Sequence, residues 1–317
     1  MDPAPHAGPR PLIDPAELAA SAAPLLGRCR FPAPGSDVVC GVSGGADSTA
    51  LLALAVAAGC RVTAVHVDHG LRPGSAAEAE VVQGSAQILG AAFQTRRVAV
   101  GVGPNLEARA RRARHDALPV GALLGHTADD QAETVLVNLL RGAGLDGMAA
   151  MRADDRRPLL ALRRADTVAL CDRLGLAVVD DPSNRDPAFL RNRVRHEVLP
   201  LLADVAGRDL VPVLARQAGL ARDAVDHLAA DAAAIDPTDA AAVTAAPVAL
   251  ARLAVRSWLR ACSDERHPPS AAAVERVLAV ARLERRSTEV GDGWRVARTA
   301  GRLRLEHADG RPPGPFG

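Results

Sequence analysis

From residue 36 to 141 two periodicities take turns along the chain. Short, mostly apolar runs (SDVVCGV, RVTAVHV, AFQTRRVAV and VGALLGH) alternate with longer stretches in which apolar residues recur at i, i+3 and i+4 (ADSTALLALAVAAG, AAEAEVVQGSAQILG, NLEARARRARHDAL and ADDQAETVLVNLL). The first kind predicts strands covered on both faces, the second amphipathic helices. Their alternation predicts an α/β domain on a doubly wound, Rossmann-like parallel sheet. After RRPLLAL and one more helix, RADTVALCDRLG, the pattern stops at VVDDPSNRDP, whose Asp, Pro, Ser and Asn mark a loop. A helix is expected from about Phe189 to Ala203, followed by an alanine-rich helical region. GDGWRVARTAGRLRLEH alternates around a TAG turn, as a terminal hairpin would. The organisation predicted is an N-terminal extension over 1–33, an α/β domain over 34–203 that includes a linker helix, and a smaller, mainly helical domain over 204–310.

Composition narrows the chemistry. The 317 residues are 48% hydrophobic, enough to fold a core in more than one domain. Five scattered cysteines without CxxC spacing argue against a disulfide framework, a zinc site and a cysteine-held iron–sulfur cluster, and fit a reducing cytoplasm. MDPAPHAGPR has no signal pattern and no apolar run approaches the ~20 residues of a membrane span, so neither export nor a membrane is expected. All 38 Lys+Arg residues are arginine. A chain without lysine cannot by itself run a GxxxxGK[ST] phosphate loop, a Schiff base or a lysyl-adenylate. The net charge of +1 hides a basic stretch, since residues 251–304 hold twelve arginines against six acids. That stretch, RARRARH (109–115) and RNRVRH (191–196) suit either phosphate contacts or solvated helix faces.

The hexapeptide Ser43, Gly44, Gly45, Ala46, Asp47, Ser48 falls where the first strand meets its helix, the place at which open α/β sheets bind ligands. Gly44 and Gly45 let backbone approach a phosphate, Ser43 and Ser48 bring hydroxyl donors, and the helix start favours negative charge. Asp47 fits a magnesium ion shared with a phosphate, or a helix cap. Taken alone, the hexapeptide is equally a tight glycine turn, and it lacks the G-x-G-x-x-G register of dinucleotide sites. SGGADS resembles the SGGxDS loop of the PP-loop ATP pyrophosphatases, which cleave ATP between its α and β phosphates without a lysine. HVDHGLR (66–72), LEARARRARHDAL (106–118), GHTADDQAETVLVNLLRGAGLDGMAAM (125–151), RPLL (157–160) and DDPSNRDPAFLRNRVRHEVLPLL (180–202) further resemble the tRNA(Ile)-lysidine synthase family of that superfamily.

That resemblance covers most of residues 36–202. It implies a cytoplasmic enzyme that uses ATP and Mg2+ to adenylate C2 of the wobble cytidine, C34, in the CAU anticodon of tRNA(Ile). The ε-amine of free L-lysine then displaces AMP, so lysine enters as a substrate. The resemblance implies ATP contacts from Ser43, Gly44, Gly45, Ala46, Asp47, Ser48, His66 and Arg72, with Asp47 also the metal ligand. Catalytic roles fall to Asp47, Asp129, Asp130, Glu133, Arg111 and Arg195. Substrate contacts fall to Arg111, Arg114, His126, Asp129, Glu133, Arg191, Asn192 and Arg195. His115 stands where the family usually has tyrosine.

Elementary chemistry is compatible with those roles. Asp129 and Glu133 are four apart, as are His126 and Asp130 if the helix starts early enough, and like charges on one helical face call for a cation between them. The lysine ammonium or magnesium would supply it. Arg111 with Arg114, and Arg191 with Arg195, share helical faces suited to a phosphate or a carboxylate. The acids or His126 are candidates for the base that frees the lysine amine, and arginines with magnesium for charge on the phosphate. Contact with tRNA is expected from the basic region 251–304, where only Trp258 and Trp294 could stack on bases. Rival functions are weaker. A PP-loop tRNA thiolase normally wants paired cysteines, an amidating synthetase does not predict DPSN followed by RNRVR, and a non-catalytic RNA-binding protein would not need an intact SGGADS.

Overall fold

The computed structural model describes residues 11–68, 75–98, 113, 116–262, 269–291 and 293–309. Four parallel strands, β1 (Asp37–Gly41), β2 (Arg61–Asp68), β3 (Ala92–Arg97) and β4 (Leu123–Leu124), pair in the order β3-β2-β1-β4. The chain builds outward from β1 to β3 and then returns to the other side of β1. The carboxyl ends of β1 and β4 therefore flank a topological switch point, where such sheets hold ligands. The polar QTRR of β3 is explained by its place at the sheet edge, with Gln94 to Arg97 partly or fully exposed.

Among the described residues, helices that pack around this sheet include α1 (Pro15–Leu26), α2 (Ala46–Ala57), α3 (Ser75–Leu89) and α4 (Ala128–Leu140). Residues 48 to 55 of α2 are all buried, which is why ADSTALLALAVA is apolar on every side. Its Leu51, Leu52 and Leu54 are fully enclosed with Cys40, Ala64, Leu159 and Leu162 in the main core, each leucine contributing roughly 1.5–3 kcal/mol. The N-terminal extension is helical from Pro15. Asp14 caps α1 by accepting from the Ala16 N–H, and Leu18 and Ala22 join the same core.

Helix α5 (Arg164–Arg173) follows RPLL, and the expected DPSN loop contains one 3-10 turn, Pro182–Arg185. The expected helix from Phe189 is a continuous helical run with a wide middle: α6 (Leu190–Arg193), a π turn (Val194–Val198) and α7 (Leu199–Ala206), closed by left-handed Gly207. Helix α8 (Val211–Ala232) comes next. Two compact units, Met1–Leu220 and Ala221–Gly317, divide the chain inside α8.

The second unit holds α9 (Ala240–Ala245), α10 (Val248–Cys262), α11 (Ala271–Ala281) and an antiparallel sheet. The expected terminal hairpin is β6 (Trp294–Thr299) and β7 (Arg302–His307), joined where Ala300 and Gly301 both take positive φ. A third strand, β5 (Ser287–Gly291), pairs with β6. Its STEVG sequence is polar at most positions, so periodicity does not reveal it. Trp258 and Trp294 are buried in this unit's core, which removes both from base stacking as the chain stands. Among the described residues no helix is long and apolar enough to cross a membrane.

One contact ties β4 to the start of α2. A Cβ on Gly125 would lie 2.6 Å from the backbone oxygen of Asp47 and 3.0 Å from the Ser48 Cα, so only glycine permits this approach. Gly125→Ala should therefore cost about 1–3 kcal/mol through overpacking against backbone. A urea-unfolding midpoint equal to that of the unsubstituted chain would show instead that the SGGADS loop can retreat freely.

Candidate active site

The SGGADS loop is braced from within and from one side. The Ser43 N–H donates to Ser48 Oγ (3.1 Å), and the Ser48 hydroxyl donates to the Gly45 carbonyl (2.9 Å). Gly44 has φ +93°, and a Cβ there would meet Val179 Cγ2 at 2.8 Å, while the Val179 N–H donates to the Gly44 carbonyl (2.9 Å). Gly45 is the N-cap of α2 and brings no capping side chain, which leaves first-turn N–H groups to face an anion.

Asp47 turns away from the helix start toward α5. Its carboxylate accepts from Arg164 Nε (3.2 Å) and from the Thr167 hydroxyl. Burial pushes its carboxyl above the usual range, more than Arg164 and Thr167 pull it down.

The other acids sit at the start of α4, at the end of β4. Thr127 is the N-cap, and its N–H and hydroxyl donate to Asp130 Oδ2 at 2.9 and 3.0 Å. Asp130 Oδ1 accepts from Arg164 Nη2 (3.1 Å) and Arg191 Nη2 (2.9 Å). Glu133 has no exposed surface. Its oxygens accept from Arg164 Nη1 (3.1 Å), Arg191 Nε (2.7 Å), Arg195 Nε (2.6 Å) and Arg195 Nη2 (3.1 Å). Asp129 accepts from Arg163 Nε (3.0 Å), Arg163 Nη2 (3.2 Å) and the Arg164 N–H (2.8 Å), and Arg163 also pairs with Asp209.

A cation was expected between the carboxylates, and here arginine side chains supply it. The π turn matters to this arrangement. It begins at Val194, between Arg191 and Arg195, and both guanidiniums reach one carboxylate.

Burial opposes the charges of Asp129 and Asp130, but the guanidiniums outweigh it. Arg163 and Arg164 hold Asp129, and Arg164 and Arg191 hold Asp130, below the ordinary carboxylate value. Burial also opposes the charge of Arg164, yet Asp130, Glu133 and Asp47 keep it more firmly protonated than a free arginine. Next to the cluster lies a cavity of about 210 Å3. Asp129, Arg164, Arg195 and Asp209 form its polar side, and Leu199, Pro200, Leu210 and Val211 its apolar side.

Several expected residues also have partners within the fold. His66 is buried in β2 with Nδ1 3.0 Å from the Val42 carbonyl, so that nitrogen carries the proton and holds the end of β1. The Asn192 amide donates to the carbonyls of Ser183 (2.7 Å) and Asp186 (2.9 Å), fastening the DPSN turn. His126 precedes the N-cap and is not helical. Arg72, Arg111, Arg114 and His115 lie outside the described residues.

Four participants were not anticipated from sequence: Arg163, Arg164, Thr167 and Asp209. One signal was present. Arg163 and Arg164 are the N-cap and first residue of α5, where a helix dipole disfavours positive charge, so the pair needs acids from elsewhere.

Residues 19–202 match the family model of the PP-loop domain. The chain is 48% identical over 245 residues to a tRNA(Ile)-lysidine synthase of Nocardia farcinica, covering 72% of this chain and 77% of that protein. It is 45% identical to a tRNA(Ile)-lysidine synthase of Rhodococcus erythropolis (71% and 74% covered) and 46% identical to one of Mycobacterium tuberculosis (70% and 74% covered).

The environment of Asp47 yields a stability test. Its folded carboxyl holds a proton more tightly than in the unfolded chain, so the stability it contributes is present in acid and is lost as pH rises through its raised value. Asp47→Asn should leave the melting temperature at pH 7 equal or higher, with the advantage shrinking toward pH 4. Asp129 and Asp130 behave oppositely, contributing stability that is lost only as pH falls through their lowered values. A clearly lower melting temperature for Asp47→Asn at pH 7 would mean that the Arg164 pair outweighs desolvation.

Proposed function

The chain belongs to the tRNA(Ile)-lysidine synthase family, and from that premise we propose how its site ligates L-lysine to C2 of C34 in the CAU anticodon of tRNA(Ile). The observation that carries the reading is the direct link, through Arg164, between Asp47 of the ATP loop and the buried acids of α4. In the first step O2 of the cytidine attacks the α-phosphorus of ATP, and the bond to the β-phosphate breaks with its electron pair leaving on pyrophosphate. In the second, the neutral ε-amine of lysine attacks C2 and AMP departs with the C–O electron pair. One proton is lost from the amine.

Gly44, Gly45 and the first turn of α2 take the ATP phosphates, a role their free N–H groups support. Among the described residues no group of three or more acidic, histidine or cysteine side chains could hold a metal by itself. A lone Asp47 fits a magnesium ion shared with substrate phosphates, which would neutralise phosphate charge when bound. Asp129 and Asp209 beside Arg164 and Arg195 match the ammonium and carboxylate of an amino acid, and Leu199, Leu210 and Val211 match its methylenes. Held below their ordinary range, Asp129 and Asp130 are better suited to hold a cation than to accept a proton. Arg111, Arg114, Arg191 and Arg195 supply positive charge for phosphates, and the region 204–310 binds tRNA, chiefly by the charge of 251–304. The reaction belongs to the cytoplasm, where its tRNA and ATP are.

Incubation with ATP, Mg2+, labelled L-lysine and an unmodified isoleucine tRNA bearing CAU, followed by nucleoside analysis, should place label in the wobble cytidine with AMP formed. Pyrophosphate release on addition of tRNA without any label would point to a different nucleophile on the same ATP chemistry. Within the same assay, Asp129→Asn should raise the KM for lysine about tenfold or more, equivalent to roughly 1.4 kcal/mol of lost binding, with the KM for ATP little changed. An unaltered lysine KM would remove Asp129 from the lysine pocket.

A further inference from the structure

The Arg164 side chain touches both the SGGADS loop and the α4 acids. Its Nε meets Asp47, Nη2 meets Asp130 and Nη1 meets Glu133, while its backbone N–H donates to Asp129. The acids of α4 do not need it for neutralisation. Glu133 takes three of its four hydrogen bonds from Arg191 and Arg195, and Asp130 has Arg191 as well. Asp47, by contrast, has Arg164 as its partner cation. The side chain is 26% exposed and lines the cavity, so it lies at the edge of the site. It stands at the first position of α5, against the helix dipole, and is kept there by acids that bound substrate would screen.

We propose that Arg164 is a catalytic residue of the adenylation step, held on Asp47 in the free protein and donating to the α-phosphate oxygens once ATP occupies the SGGADS loop. This inference rests on the reading above. The loop's first-turn N–H groups and Asp47 share one turn of α2, so a phosphate on that turn is within reach of a side chain already 3.2 Å from Asp47. As O2 bonds to the α-phosphorus and pyrophosphate leaves, negative charge grows on the equatorial oxygens. A planar guanidinium with several donors is suited to that charge. Thr167, one turn further along α5, keeps its bond to Asp47 when Arg164 turns away.

The test uses the full chain and separates ATP binding from adenylation. ATP affinity is measured by equilibrium binding. Adenylation is measured as single-turnover pyrophosphate release on adding tRNA without lysine. Arg164→Gln should slow adenylation by about 100-fold or more, the loss typical of deleting one transition-state donor, while the Kd for ATP changes by less than about threefold. Arg164→Lys, which keeps the charge beside the acids, should fold with an unchanged circular-dichroism spectrum and recover part of the rate. Adenylation by Arg164→Gln within about threefold of the unsubstituted chain overturns the proposal, as does an ATP affinity that falls in step with the rate. Pyrophosphate release by the unsubstituted chain without lysidine formation would sink the ligase reading yet leave Arg164 to be judged on release. No pyrophosphate release at all would sink both.

Discussion

A carboxylate with no exposed surface survives as an anion only if its surroundings replace water, and Glu133 shows how this chain does so. Three guanidiniums from two distant segments give it four hydrogen bonds. Deleting one partner of such a buried pair typically costs about 3–5 kcal/mol, because the other charge is left stranded. The position of the DPSN–RNRVR segment, the entry to α5 and the start of α4 are therefore mutually dependent.

That dependence extends to the ATP loop through close backbone contacts. Gly125 allows the end of β4 to lie against Asp47 and Ser48, and Gly44 allows Val179 to lie against the loop, with a backbone hydrogen bond between them. Val179 opens the stretch that leads to Arg191 and Arg195. The same segment is thus fastened at one end to the phosphate loop and at the other to Glu133. The SGGADS loop and the acidic start of α4 are held in one frame by sterics on one side and electrostatics on the other.

The opposed shifts of the carboxyls follow from the distribution of arginines. Asp130 has three guanidiniums close by, from Arg164, Arg191 and Arg195, and Asp129 has those of Arg163 and Arg164, whereas Asp47 has one and a hydroxyl. Burial opposes all three charges and is met by unequal compensation.

Hydrophobic periodicity alone determined the alternation of β1, β2 and β4 with α2, α3 and α4, because burial on both faces of a parallel sheet demands continuous apolar strands and the intervening helices must cover them. The motif SGGADS was legible for a similar reason, since glycines, hydroxyls and a helix start are local features. The spacing of Asp129 and Glu133 announced a need for positive charge. What it left open was the source, because an arginine 31 residues away and others about 60 away carry no sequence mark of proximity to Glu133. The carbonyls that His66 and Asn192 meet were hidden for the same reason: which backbone group a polar side chain faces depends on what the fold sets opposite it. Strand β5 escaped notice because its neighbour β6, and not its own pattern, makes it a strand. Local backbone preference and burial are written residue by residue, while charge pairing is decided only when distant segments meet.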